Sequence, residues 1–205
     1  MNEFMQLGIT DTLTRLLYKN GIKTPTEIQR AAIPAIFKGR DIVGRSETGT
    51  GKTLAYLLPV MQRVRTDTEN TQVLIMTPTR ELAKQVFQVA GTFAKDMNID
   101  VTDVIGGRTI ENQIQKLKRD PHIVIGTPGR LLDHLKRRTL DISNAGIVVR
   151  VVYELCLAAG ITAPEDEHQV VSVSAQCADS SVGELLPAAP LVTSGSMFAH
   201  GQRGV

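Results

Sequence analysis

The chain has 205 residues, 42% hydrophobic and 21% charged, enough for one well-buried domain with a short appendage. No apolar run reaches bilayer-spanning length, and the opening MNEFMQLGIT lacks the basic-then-apolar order of a secretory leader. Cys156 and Cys177 form neither a metal-spaced cluster nor a disulfide framework, so a reduced, cytoplasmic setting is expected.

The net charge of +2 conceals a split. Of 23 basic and 21 acidic side chains, only two and six fall in 150–205, which leaves residues 1–149 with a net +6. That excess suits a polyanionic partner and equally suits an ordinary solvated surface. Charge alone does not choose between them.

The first informative segment is 21–29, GIKTPTEIQ, around Lys23. Pro25 fixes a turn, Thr26 is a candidate helix N-cap, and Gln29 carries both a donor and an acceptor, enough to hold the edge of an adenine. Taken by itself, Gln29 reads equally well as a surface glutamine.

A β-rich run at 41–46 then meets Ser46-Glu47-Thr48-Gly49-Thr50-Gly51-Lys52-Thr53, followed by a helical pattern over 54–64. Strand, glycine-rich loop and helix in this order let successive backbone N–H groups and a helix N-terminus point at an anion. Lys52 is placed to reach β and γ phosphates, and the Thr53 hydroxyl to ligate Mg²⁺. The strict motif begins with glycine where this chain has Ser46. A phosphate loop alone says only NTPase or kinase.

Further strands are predicted at 72–77, 101–105, 122–126 and 146–149, with amphipathic helices at 81–95 and 109–119 between them. Strands alternating with helices imply a parallel sheet with helices on both faces, with ligands beyond the carboxyl ends of the strands. At three of those ends stand Pro78-Thr79-Arg80-Glu81-Leu82-Ala83, Gly106-Gly107 and Thr127-Pro128-Gly129-Arg130. Each supplies amides, a hydroxyl or an arginine, groups that position a nucleic-acid backbone without reading bases. Taken singly, the first is equally a capped helix start and the last an ordinary turn.

Together and in this order, over residues 1–149, these motifs resemble the first RecA-like domain of DEAD-box ATP-dependent RNA helicases. The resemblance implies a P-loop NTPase-type fold, a parallel sheet sandwiched between helices. It implies ATP and Mg²⁺ as cofactors and single-stranded RNA, held without sequence preference, as partner. Phe4, Lys23, Gln29 and Ser46 to Thr53 inherit nucleotide roles, with Thr53 toward the metal. Phe4 matches an aromatic that supports adenine binding in the family. Pro78, Thr79, Arg80, Gly107, Thr127, Gly129 and Arg130 inherit RNA-side roles. A second RecA-like domain completes the site in the family and is absent from this sequence. Departures are Ser46, where the family usually has Ala, and Ile22, where it often has an aromatic.

The resemblance stops at residue 150. Leu-Asp-Glu-Ala-Asp is expected there, and Arg150-Val151-Val152-Tyr153-Glu154 is found. In the family the first Asp orients Mg²⁺ and the Glu activates water. Val151 and Val152 offer no lone pair, so no catalytic residue is identifiable, and Glu154 falls where the last Asp belongs.

Residues 150–205 lose lysine entirely and read as a divergent tail, from a frame change or a foreign segment, and as the least ordered part. Within it, 151–159 is strand or helix, 169–174 is a strand with a chance likeness to the family's Ser-Ala-Thr motif, and 193–205 is a loose terminus. Three readings follow: a helicase fragment unable to hydrolyse ATP or unwind alone, a non-catalytic decoy or dominant-negative module, and, weakly, a small P-loop kinase.

Overall fold

The computed structural model describes residues 2–46, 49–153, 169–174, 191–193 and 196–197. Eight strands form one sheet. They are β1 (Ile42–Ser46), β2 (Val73–Met76), β3 (Val101–Val104), β4 (Ile123–Gly126), β5 (Ile147–Tyr153), β6 (Gln169–Ser174), β7 (Leu191–Thr193) and β8 (Ser196–Met197), in the order β3-β4-β2-β5-β6-β1-β7-β8. Strands β3, β4, β2 and β5 are mutually parallel. Their Val/Ile-rich sequences are what a sheet covered on both faces requires.

Side chains alternate between two apolar layers. Ile75, Ile125, Val149 and Val151 join the larger cluster; Leu74, Val124 and Val148 join the smaller. Among the described residues seven α-helices supply the cover: α1 (Glu3–Gln6), α2 (Asp11–Lys19), α3 (Glu27–Phe37), α4 (Lys52–Arg63), α5 (Arg80–Ala94), α6 (Ile110–Leu117) and α7 (Pro128–Lys136). Helix α4 buries Ala55, Leu57, Leu58, Val60 and Met61. Each fully buried leucine contributes about 1.5–3 kcal/mol, so the start of α4 is held against the core from beneath.

The parallel sheet between helices is therefore the architecture found, with one departure. Strand β6 lies between β5 and β1 and runs antiparallel to both, and β8 runs antiparallel to β7. Val171 and Val173 of β6 enter the larger core cluster. The segment after 150 thus covers the inner edge of β5 instead of leaving it open.

Because β6 pairs Gln169 with Ser46 and Val173 with Ile42, Ser174 sits at the end of β6 remote from the 46–53 loop. Ala175 and Gln176, the rest of the Ser-Ala likeness, lie outside the described residues. The predicted strand at 146–149 is longer than expected, running to Tyr153. The predicted loose terminus is partly ordered, since Thr193 closes β7 and Ser196–Met197 form β8. Glu154, Cys156, Cys177 and the rest of 154–168 and 175–190 lie outside the described residues. Among the described residues no helix is long and apolar enough to cross a membrane.

Candidate nucleotide site and nucleic-acid groove

Strand β1 ends at Ser46 and α4 begins at Lys52, and the loop between them turns on two left-handed glycines, Gly49 (φ +81°) and Gly51 (φ +91°). Gly51 is the N-cap of α4 and has no side chain to cap it, so the first amides of the helix face outward as anion donors. A Cβ on Gly51 would stand 2.6 Å from Gln29 Nε2 and 3.0 Å from Thr26 Oγ1. Glycine is needed here for both conformation and space.

Gln29 is 2% exposed. Its Nε2 donates to the Gly51 carbonyl at 3.0 Å, and its Oε1 accepts from the Thr26 amide at 3.0 Å in the capping box of α3. One amide hydrogen and one lone pair remain for a ligand. Lys52 is buried at 6% exposure. Beneath it lies an apolar cavity of about 20 Å³, bounded among others by Ile28, Tyr56, Val171 and Val173. Burial pushes the Tyr56 hydroxyl pKa well above its ordinary value, with the Thr53 hydroxyl opposing.

Phe4 and Lys23 sit in opposite settings. Phe4 is 0% exposed within the main core cluster. Lys23 is exposed on the turn before α3. Glu47 and Thr48 lie outside the described residues. Strand β5 runs straight through residues 151–153, and Val151 is 3% exposed in the cluster that holds Val149, Val171 and Val173.

The second cluster gathers at the ends of β2, β3 and β4. A groove of about 620 Å³ is lined by Pro78, Thr79 and Arg80 from one motif and by Thr127, Gly129 and Arg130 from another, with Gly106 between them. Thr79 caps α5, its Oγ1 accepting from the Leu82 amide at 3.2 Å. Thr127 caps α7 without spending its hydroxyl, and Pro128 occupies the first helical position. Two helix N-termini therefore border the groove, favouring anions.

Gly107 (φ +76°) lies behind the groove wall. A Cβ there would stand 2.6 Å from Arg80 Nη1, and one on Gly106 3.0 Å from Arg80 Nη2. The paired glycines give the guanidinium a bare backbone surface to lie on. Arg130 Nη1 donates to the Arg108 carbonyl at 3.1 Å.

Sequence reasoning missed several members. Glu81 and Asp133 place carboxylates on the groove wall. Behind it His134, fully buried, has Nε2 3.1 Å from Gln113 Oε1 and Nδ1 2.9 Å from Thr139 Oγ1, while Gln113 Nε2 donates to the Ile105 carbonyl at 2.9 Å. Oε1 can only accept, so Nε2 carries a hydrogen, while the single Thr139 hydroxyl hydrogen has two acceptors in reach, His134 Nδ1 and, at 3.2 Å, the His134 carbonyl. These partners are too far apart in sequence for any spacing rule to join them.

Burial, then the Arg130 charge, holds the His134 pKa below its ordinary value, with Asp133 opposing. The unfolded chain then binds the proton more tightly, so stability is full above about pH 6.5 and is lost as pH falls below it. Urea midpoints from pH 7.5 to 5.5 should decline, by at most about 1.4 kcal/mol per pH unit from one group. The decline should be shallower in His134→Gln. An equal decline in both proteins would remove His134 as its cause.

A sheet whose strand end feeds a glycine loop and a buried lysine, sandwiched between helices, defines a RecA-like domain of the P-loop NTPase type. The family model for DEAD/DEAH box helicases matches residues 26–150, and the chain belongs to that family, as its N-terminal domain. It is 42% identical over 149 residues to the DEAD-box ATP-dependent RNA helicase CshA of Bacillus cereus, covering 73% of this chain and 28% of the relative. It is 40% identical over 147 residues to the ATP-dependent RNA helicase CshA of Limosilactobacillus reuteri, covering 72% and 30%. The chain thus spans less than a third of the length of these relatives.

Among solved structures, a DEAD box protein from Methanococcus jannaschii superposes with TM-score 0.66 at 35% identity, over 70% of this chain and 39% of that one. Dbp5 of S. cerevisiae, bound to RNA and ADP BeF3, superposes with TM-score 0.65 at 28% identity, over 72% and 37%.

Proposed function

We propose that this domain holds ATP at the 46–53 loop and the sugar-phosphate backbone of single-stranded RNA in the groove, and that it does not turn ATP over. The carrying observation is the groove itself, which brings Thr79, Arg80, Thr127, Gly129 and Arg130 around one space from separate segments. The likeness to Dbp5, a protein seen with both RNA and a nucleotide, supports the pairing of ligands. Amides, hydroxyls and guanidinium groups without base-reading side chains suit any RNA sequence.

The nucleotide side fits a triphosphate through the left-handed glycines, the uncapped start of α4, and Lys52. Gln29, seated on Gly51, would fix adenine relative to that loop. Mg²⁺ fits less well: Thr53 supplies one hydroxyl ligand, and Val151 adds none. When bound, the ion would neutralise phosphate charge. Unwinding would draw on a second RecA-like domain, for which the greater length of the relatives leaves room. The reading as a non-catalytic nucleotide- and RNA-binding module is favoured by one observation, the packing of Val151 into the core.

The test separates the two sites. Calorimetry with Mg²⁺ and a non-hydrolysable ATP analogue should register binding that Lys52→Ala abolishes and Arg130→Ala preserves. Affinity for a single-stranded oligonucleotide should fall as salt rises, with Arg130→Ala weaker and its salt slope smaller by about one. No heat of association with folded protein would end the nucleotide reading. RNA affinity indifferent to salt would end the groove reading.

A further inference from the structure

Asp103 is the last residue but one of β3, is 3% exposed, and spends both carboxylate oxygens on basic side chains. Oδ2 accepts from Arg108 Nη1 at 2.6 Å and Oδ1 from Lys116 Nζ at 3.1 Å. Both cations are about half exposed. Between Asp103 and Arg108 run Ile105, Gly106 and Gly107, the turn whose bare backbone receives the Arg80 guanidinium. The carbonyl of Arg108 itself accepts from Arg130. The same turn is tied from behind, where Gln113 donates to the Ile105 carbonyl.

We propose that Asp103 is a positioning residue for the RNA-backbone groove: its ion pair to Arg108 closes the 105–108 turn in the form that seats both Arg80 and Arg130. This rests on the groove reading above and adds to it a part that touches no ligand.

Charge makes the assignment testable by sign. A carboxylate close behind a phosphate-binding groove repels phosphate, so counting charges predicts that removing it tightens RNA binding. A buried carboxylate costs free energy unless it is paired, and pairing at best offsets that cost. A carboxylate kept there acts through what it orders. Without it the turn loses its closing contact, the Arg108 carbonyl drifts from Arg130, and the loosened guanidinium is no longer aimed at the strand.

The experiment measures affinity for a fluorescent single-stranded RNA oligonucleotide across a salt series, with thermal midpoints recorded in parallel. Variants are Asp103→Asn, Arg130→Ala and the double substitution. Asp103→Asn is expected to bind about tenfold more weakly, the low end of the worth of one charge-assisted hydrogen bond. It should also lose part of the salt slope although no cation has been removed. In the Arg130→Ala background the same change should cost less, because only the part acting through Arg80 remains.

Equal or tighter binding by Asp103→Asn, or losses that simply add in the double variant, overturns the proposal. Wild-type protein that shows no salt-sensitive RNA binding overturns the groove reading instead. If Asp103→Asn does not fold, Arg108→Lys keeps the charge while shortening the side chain that reaches Asp103 Oδ2 through Nη1. It is then expected to show the same loss, and unchanged affinity there overturns the proposal.

Discussion

Phosphate release by this chain in the presence of ATP, Mg²⁺ and RNA is expected to remain at the level of Lys52→Ala. Loss of a positioned general base alone costs about 10²–10⁴-fold. Here the two positions where the family carries its metal-orienting and water-activating carboxylates hold Val151 and Val152. The structure sharpens the expectation, because Val151 is a core residue, directly opposite Val171 of β6 and packed with Val149. Restoring an aspartate there would bury a carboxylate among valines, at a cost of several kcal/mol. The double substitution Val151→Asp and Val152→Glu should therefore lower stability without restoring turnover. RNA-stimulated release by the wild-type chain that disappears in Lys52→Ala would show that some other group activates the water.

Much of the first 149 residues was legible because each motif is local. Short apolar runs with helical stretches between them marked β1 to β4 to within a residue or so at each end. Glycine and proline marked the turns at which the motifs sit. Less legible was whatever depends on distant partners. Gln29 was readable as an amide able to hold an adenine, while its seat on the Gly51 carbonyl comes from packing α3 against α4.

Phe4 carried an aromatic signature, and only tertiary packing shows that its ring is enclosed. Asp103, Gln113 and His134 looked like ordinary residues of a strand and two helices, since their meaning lies in contacts across five to twenty-one positions. The sharpest limit is β6. The alternation in Gln169-Val170-Val171-Ser172-Val173-Ser174 announces a strand, yet nothing local gives its direction or its neighbours. Its place between β5 and β1 follows from the open backbone edges those strands otherwise present.

That placement makes a second large prediction, in two arms. Val173 faces the main core and borders the cavity that Lys52 also lines. Ser172 faces the other side and is paired across the antiparallel ladder with Arg150. Arg150 is partly buried on β5, and desolvation lowers its pKa. Val173→Lys puts an ammonium among apolar side chains beside an existing cation, and should cost about 3–5 kcal/mol. Ser172→Asp sets a carboxylate opposite the Arg150 guanidinium and should be neutral or stabilise by about 0.2–1 kcal/mol. Denaturant midpoints measure both. Because a slip of one residue along a strand exchanges its two faces, a different register would swap the two outcomes. A tail not paired in the sheet would make both changes small. Only a large loss at 173 beside an indifferent or positive change at 172 is compatible with β6 completing the sheet under the phosphate loop.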